Sequence, residues 1–203
     1  GYSVASDGSL WSWGANGGDL GLGQIPGKYF PPTLVIASGV SDVSAGNAYV
    51  LILKTDGTVW ACGENTNYQL GDGTTKARFK PVQVAGLPAA VAIAAGSATS
   101  YAVTTDGSVW AWGANTWGQI GDGSLTNRKA PVKVPFFGRV RQVAATQSGA
   151  ALAVTQDGSV WTWGSNANGE PGTGAFAMRA SAAGARSASA VPAGAPPAAA
   201  GRS

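Results

Sequence analysis

Short apolar runs interrupted by an Asp-Gly pair recur along this chain. Residues 49–53 are aliphatic or aromatic, and a second apolar run over residues 59–62 follows Asp56 and Gly57. Apolar runs on both sides of Asp-Gly are a strong hairpin signal, because a type I′ turn requires positive φ at both of its central residues. The pattern therefore predicts a β-hairpin with Asp56 and Gly57 at the centre of a type I′ turn.

The hairpin pattern repeats about every fifty residues. Asp-Gly pairs begin at residues 7, 56, 106 and 157, and each is followed at fixed offsets by Trp, Gly and Asn. Two further strands are predicted per copy, over residues 40–45 and 81–84 in the second one. Four short strands per copy without helical periodicity are typical of a propeller blade. We predict an all-β fold, a β-propeller forming an incomplete arc of three to four four-stranded blades over residues 1–174. The residues predicted to be structural are Gly8, Gly57, Gly107, Gly158, Trp60, Trp110 and Trp161.

Paired tryptophans two residues apart, such as Trp110 and Trp112, share one face of a strand. We predict that they pack between adjacent blades, and the alternative is a stacking platform for carbohydrate or bases. An open arc would expose Trp11 with Trp13 at one end and Trp161 with Trp163 near the other. Because large exposed apolar patches are unusual on monomers, we expect self-association through the open blade faces.

Composition narrows the classes of function. The chain has 203 residues, 31 of them Gly and 8 of them Trp, and only 11% are charged, which suits many strands and turns. A net charge of +3 does not favour nucleic acid, so a protein partner is predicted. No apolar run is long enough for a transmembrane helix. Residues 175–203 are rich in Ala, Pro and Gly, and we predict a disordered tail there.

Residues for catalysis are scarce. The chain has no His, which excludes Ser-His and Cys-His arrangements and His-ligated metals. Cys62 is the only cysteine, so neither an intramolecular disulfide nor a cysteine zinc site can form. Eight of the ten carboxylates lie at positions that the repeat explains, which leaves Asp42 and Glu64. We therefore predict a non-enzyme without catalytic residues, metal or cofactor.

Two groups of residues are candidates for binding. Tyr68 and Trp117 lie in the turns after the repeated Asn, and we predict that they occupy the same place in successive copies. Loop aromatics are favoured interface anchors. Lys28, Arg78 and Arg128 recur three residues before a proline, and on one rim they would form a basic patch for an acidic protein surface or for phosphates. The alternative for this basic column is an ordinary set of solvated loops.

The motifs resemble the regulator of chromosome condensation repeat family. The third copy shows the pattern best, over residues 110–115 and 118–123, and the resemblance covers roughly residues 1–174. It implies a seven-bladed propeller that acts as a non-catalytic protein-binding scaffold. It also implies two alternatives, a guanine-nucleotide exchange regulator of a small GTPase and a secreted inhibitor of an enzyme. The family's frequent His is missing here, and no exchange-factor residue set matches, so we predict a partial and divergent member.

Overall fold

The computed structural model describes residues 1–23, 27–135 and 138–166, together with the backbone of 179–185. Every regular element in these ranges is a β-strand. In chain order the strands are β1 Tyr2–Val4, β2 Leu10–Ala15, β3 Tyr29–Ile36, β4 Val40–Ala45, β5 Tyr49–Lys54, β6 Val59–Gly63, β7 Arg78–Gln83, β8 Ala90–Ala95, β9 Thr99–Thr104, β10 Val109–Gly113, β11 Arg128–Val134, β12 Val140–Ala145, β13 Ala150–Thr155, β14 Val160–Gly164 and β15 Arg179–Ala185.

The strands form four antiparallel sheets, each a meander of strands consecutive in the chain. Blade 1 is β1-β2-β3, blade 2 is β4 to β7, blade 3 is β8 to β11, and blade 4 is β12 to β15. The predicted all-β fold of three to four blades is confirmed. Strand β15 lies within the segment 175–203, where no strand was predicted, and the rest of that segment lies outside the described residues. In the described part, no helix has the length and apolar character needed to cross a membrane.

The hairpin turns differ from the prediction in type. The Gly57 N–H donates to the Lys54 carbonyl at 2.9 Å, and Lys54 N–H donates to Thr58 O at 2.9 Å, which encloses a three-residue loop. Gly57 has φ +82°, whereas Asp56 has no positive φ. This is a type I turn followed by a glycine bulge, so the type I′ assignment was wrong. Asp56 instead accepts a hydrogen bond from Thr58 N at 2.9 Å, a local contact that aspartate favours in turns.

The predicted structural glycines also connect neighbouring blades. Gly8, Gly57, Gly107 and Gly158 all have φ between +78° and +87°. The Gly57 carbonyl accepts a hydrogen bond from Ala90 N at 2.8 Å, at the start of blade 3. The carbonyls of Gly8 and Gly107 accept equivalent bonds from the N–H groups of Val40 and Val140, which begin blades 2 and 4. Each of these three hairpins is therefore tied to the first strand of the following blade.

Tryptophans fill the boundaries between blades 2 and 3 and between blades 3 and 4. Trp112 and Trp163 are fully buried, and their indole N–H groups donate to the carbonyls of Gln69 and Gln119 in the preceding blade, at 2.9 and 2.7 Å. The equivalent residue of blade 2 is Cys62, which is buried beside blade 1. The second tryptophans of blades 3 and 4 thus pack toward the preceding blade, as predicted for inter-blade packing.

The prediction that Trp163 would be exposed near the last blade was wrong. Trp163 is fully buried, so it is not exposed near the last blade. Trp11 and Trp13 of blade 1 are 37% and 36% exposed, as expected. The first tryptophans of the other blades, Trp60, Trp110 and Trp161, are half-buried.

Candidate protein-contact site

A buried asparagine organises the loop that joins the third and fourth strands of a blade. In blade 2 this loop spans residues 64–77. The Asn65 amide donates to Asp72 Oδ1 at 3.0 Å and to the Thr74 and Lys76 carbonyls at 2.9 and 3.1 Å, while its Oδ1 accepts from Leu70 N at 3.0 Å. One side chain therefore holds both halves of the loop, because a buried amide can satisfy several backbone groups at once.

The same arrangement recurs in blade 3, in the loop of residues 114–127. Asn115 donates to the Ser124 and Thr126 carbonyls at 3.0 and 3.1 Å and accepts from Ile120 N at 2.9 Å. The sequence showed this asparagine at a fixed repeat position but not its role. The backbones of the two loops are thus held by equivalent asparagine hydrogen bonds.

The two arginines of the basic column are paired within their own loops. Arg78 Nε donates to Asp72 Oδ2 at 2.8 Å, and Arg128 Nε donates to Asp122 Oδ2 at 2.6 Å. Partial burial alone would raise the pKa of each carboxyl, but hydrogen bonds from the backbone and hydroxyl groups of Thr74 or Ser124, and from the arginine, lower the pKa below its usual value. Both carboxylates are therefore charged at neutral pH and partly neutralise the arginines.

Lys28 differs from the two arginines. It is exposed, and the residue six positions before it is Leu22, where the other copies carry Asp72 and Asp122. Of the three residues of the basic column, Lys28 is exposed, and Arg78 and Arg128 are each paired with an aspartate. The sequence carried this signal, because aspartate and arginine occur together in the second and third copies and are both replaced in the first copy.

Trp117 lies on the surface of a well-supported loop. Its side chain is 51% exposed, and its backbone N–H donates to the Gln119 side-chain oxygen at 2.7 Å. Leu125 of the same loop is 53% exposed. The structure therefore presents a large aromatic side chain on a backbone that internal hydrogen bonds hold in place.

Tyr68 does not occupy the position of Trp117, contrary to the prediction. Its N–H donates to the Asn65 carbonyl at 3.0 Å, the bond that Gly118 makes to Asn115, also at 3.0 Å. Tyr68 has φ +66° and Gly118 has φ +74°, so these two residues are equivalent. Trp117 corresponds instead to Asn67. Spacing from the repeated asparagine agrees with the structure, because Tyr68 and Gly118 are each three residues after it and Trp117 is only two.

Tyr68 is half-buried and borders the next blade. It lines a groove of about 390 Å³ together with Arg128, Lys129 and Pro131 at the start of the outer strand of blade 3. It is also the one non-glycine residue with a positive φ in the described part of the chain. Within the same part, no group of three or more Cys, Asp or Glu side chains is placed to hold a metal ion.

The consecutive meanders have three or four strands, and hydrogen bonds join the hairpins of blades 1 to 3 to the first strand of the next blade. This arrangement defines a repeat protein of β-propeller blades. Two family models, both described as Regulator of chromosome condensation (RCC1) repeat, match this chain. One matches residues 56–103 and 106–152, and the other matches 40–69, 90–119 and 140–170. The chain belongs to the RCC1 repeat family.

Curated relatives match part of the chain. The human Regulator of chromosome condensation is 39% identical over 83 residues, which cover 40% of this chain and 20% of that protein. The RCC1 domain-containing protein RUG3, mitochondrial, of Arabidopsis thaliana is 32% identical over 98 residues, covering 42% of this chain and 21% of the relative.

Solved structures match the fold over most of the chain. Yeast RCC1 (Prp20), solved bound to Kap60, has a TM-score of 0.82 at 20% identity, covering 93% of this chain and 47% of that one. Human WBSCR16 has a TM-score of 0.80 at 20% identity, covering 90% of this chain and 50% of the other. The chain spans about half the length of these structures, and at this identity the likeness shows the fold alone.

Proposed function

We propose that this chain is a non-catalytic protein-binding module whose contact surface, the loop face, consists of the loops 64–77 and 114–127. The observation that supports this most is Trp117, half-exposed on a loop whose backbone Asn115 and Gln119 hold in place. Rigid aromatic anchors dominate the binding energy of many protein interfaces, because little entropy is lost when they are covered.

The strain at Tyr68 supports the same surface. The left-handed conformation costs a non-glycine residue about 1–2 kcal/mol. The other copies have glycine at this position, namely Gly18, Gly118 and Gly169. Strained residues cluster at ligand sites, where a function outweighs the cost in stability. A tyrosine in this place is accordingly explained better by contact with a partner than by folding.

The kind of partner is suggested by the relatives. One solved yeast relative, Prp20p, is described by its binding to Gsp1p and to histones. Histones are strongly basic, and this chain carries a net charge of +3, so like charges disfavour that complex. We therefore expect the GTPase Gsp1p, or a protein of its class, to bind better than histones. Exchange of guanine nucleotide is the second candidate function, and it rests on membership of the repeat family.

A binding assay with two repeat-derived variants tests the proposal. Immobilised wild-type chain is exposed to purified Gsp1p and to core histones, and the dissociation constants are compared with those of Trp117→Asn and Tyr68→Gly. Each substitution introduces the residue that the neighbouring copy carries at the same loop position, so folding should persist. Loss of one aromatic anchor should weaken binding about tenfold or more.

Val91→Thr is the control, since Val91 is an exposed apolar residue of β8, outside the loop face. It should leave the dissociation constant and the melting temperature unchanged. Retention of full affinity by both aromatic variants, or failure of both probe proteins to bind, would refute the proposal. Release of a fluorescent guanine nucleotide from Gsp1p, accelerated by the chain, would establish the exchange function in place of a purely binding role.

A further inference from the structure

A second surface feature lies between blades 1 and 2, and none of the residues that line it belongs to the loop face. It is a groove of about 510 Å³ bounded by β3 on one side and by residues of β5, β6 and β7 on the other. Leu34, Ile36 and Trp60 provide apolar surface, and Lys54 and Lys80 also line it. We call it the blade 1–2 groove.

An irregular edge strand shapes this groove. In blade 1, Leu10 pairs with Ile36 but Trp11 pairs with Leu34, so Val35 is an extra residue and forms a bulge. Bulges redirect the side chains around them and are frequent beside binding sites. Leu34, placed opposite Trp11, is 45% exposed. In blades 2 and 3 the residues opposite the corresponding tryptophans are polar, Gln83 and Lys133.

Two lysines give the groove its charge. Lys54 Nζ lies 4.2 Å from the centroid of the Trp60 ring, a cation–π contact that holds the ammonium group above the indole. The Lys80 side chain lies across Gly23, where a Cβ would overlap it. Among the described residues the ion pairs are Arg78–Asp72 and Arg128–Asp122, so neither lysine is in one.

The two lysines of this groove have no counterparts in blade 3. None of the described residues that line it is acidic. The residues that correspond to Lys54 and Lys80 in blade 3 are Thr104 and Ala130, so the repeat itself does not require a cation at either position. Two cations beside exposed apolar side chains complement a ligand that is both anionic and apolar, because charge complementarity adds to apolar burial.

We propose that the blade 1–2 groove binds an acidic peptide segment of a partner protein. An apolar side chain of the peptide packs on Trp60 and Leu34, and neighbouring carboxylates reach the ammonium groups of Lys54 and Lys80. This site is independent of the loop face, since it uses other strands and other residues. A protein bound at the loops could therefore be joined by a second contact here.

Fluorescence anisotropy with a defined probe tests the site. The probe is a short, acetylated, fluorescein-labelled peptide in which leucine and phenylalanine alternate with glutamate, and its counterpart has lysine in place of glutamate. We expect the acidic peptide to bind the full chain and the basic peptide not to bind. The double variant Lys54→Thr with Lys80→Ala, which carries the blade 3 residues, should weaken binding of the acidic peptide about tenfold.

Two control variants test whether the peptide binds in this groove rather than elsewhere on the chain. Lys133→Ala removes a cation from the outer strand of blade 3 and should leave affinity unchanged, as should Trp117→Asn on the loop face. Retention of peptide binding by Trp117→Asn also keeps this proposal distinct from the proposed function. Equal binding of both peptides, or full affinity in the Lys54→Thr, Lys80→Ala variant, would overturn the proposal. An unchanged thermal melt of that variant shows that a loss of binding is not a loss of fold.

Discussion

Alanine at two of the hairpin glycines should have different effects, although both have the same backbone conformation. Gly57 has φ +82° and Gly158 has φ +87°. A Cβ at Gly57 would lie 2.9 Å from Ala89 Cβ and 3.3 Å from its Cα, at the hydrogen bond that ties blade 2 to blade 3. At Gly158 no atom of the described residues lies within 4 Å of the added carbon.

The magnitudes follow from these two environments. Alanine in the left-handed region costs about 1–2 kcal/mol, and part of this is offset because alanine restricts the unfolded chain by about 0.4–1 kcal/mol. Gly158→Ala should therefore lose about 1 kcal/mol. Gly57→Ala adds overpacking against Ala89, typically about 1–3 kcal/mol, so the total loss should be about 2–4 kcal/mol.

Thermal unfolding followed by circular dichroism measures the difference. For a chain of this size 1 kcal/mol shifts the melting temperature by about 2–4 °C, so Gly158→Ala should lose a few degrees and Gly57→Ala roughly 4–16 °C. Gly158→Asn serves as the control, because asparagine tolerates positive φ better than alanine. Equal losses in the two alanine variants would show that Gly57 is not packed against the next blade as described.

Three further results are expected. Trp112→Ala should lower the free energy of unfolding by about 3–5 kcal/mol in denaturant titrations. Trp13→Ala removes an exposed indole and should lower it far less. Similar losses in the two variants would contradict the inter-blade packing. The carboxyls of Asp72 and Asp122 have lowered pKa values, so the stability that they contribute is complete above about pH 4 and is lost as the pH falls through the folded pKa. The double variant Asp72→Asn, Asp122→Asn should therefore lower the melting temperature at pH 7 and much less at pH 2. A loss of melting temperature that does not depend on pH would refute this. A polypeptide of residues 1–203 should associate through Trp11 and Trp13 in light scattering, and a monodisperse monomer would contradict that expectation.

The blades could be predicted because the same local pattern of residues occurs in several copies of the repeat. Strand β4 was predicted with the observed bounds, at residues 40–45. The turn type was not predicted correctly, because Asp-Gly fits both a type I′ turn and a type I turn with a glycine bulge. The two differ in the φ of Asp56, and the hydrogen bond from Thr58 N to its side chain favours the observed form.

The site was predicted only in part, because its geometry depends on contacts between copies. Trp117 was identified as an exposed loop aromatic, and its exposure is as expected. The pairing of Arg78 with Asp72 was missed, although it could have been read from the joint change of the two residues among the copies. The blade 1–2 groove could not be foreseen, since it arises from the bulge at Val35 and from the approach of β3 to blade 2.

Hydrogen exchange of the chain in complex with Gsp1p tests the central claim most directly. The loops 64–77 and 114–127 lie at the opposite ends of β6 and β10 from the hairpins at 55–58 and 105–108. If the loop face binds the partner, amide exchange should slow in both loops, most clearly around Tyr68 and Trp117, and stay unchanged in the hairpins. Protection confined to the hairpin ends, or its absence from both loops, would contradict the account.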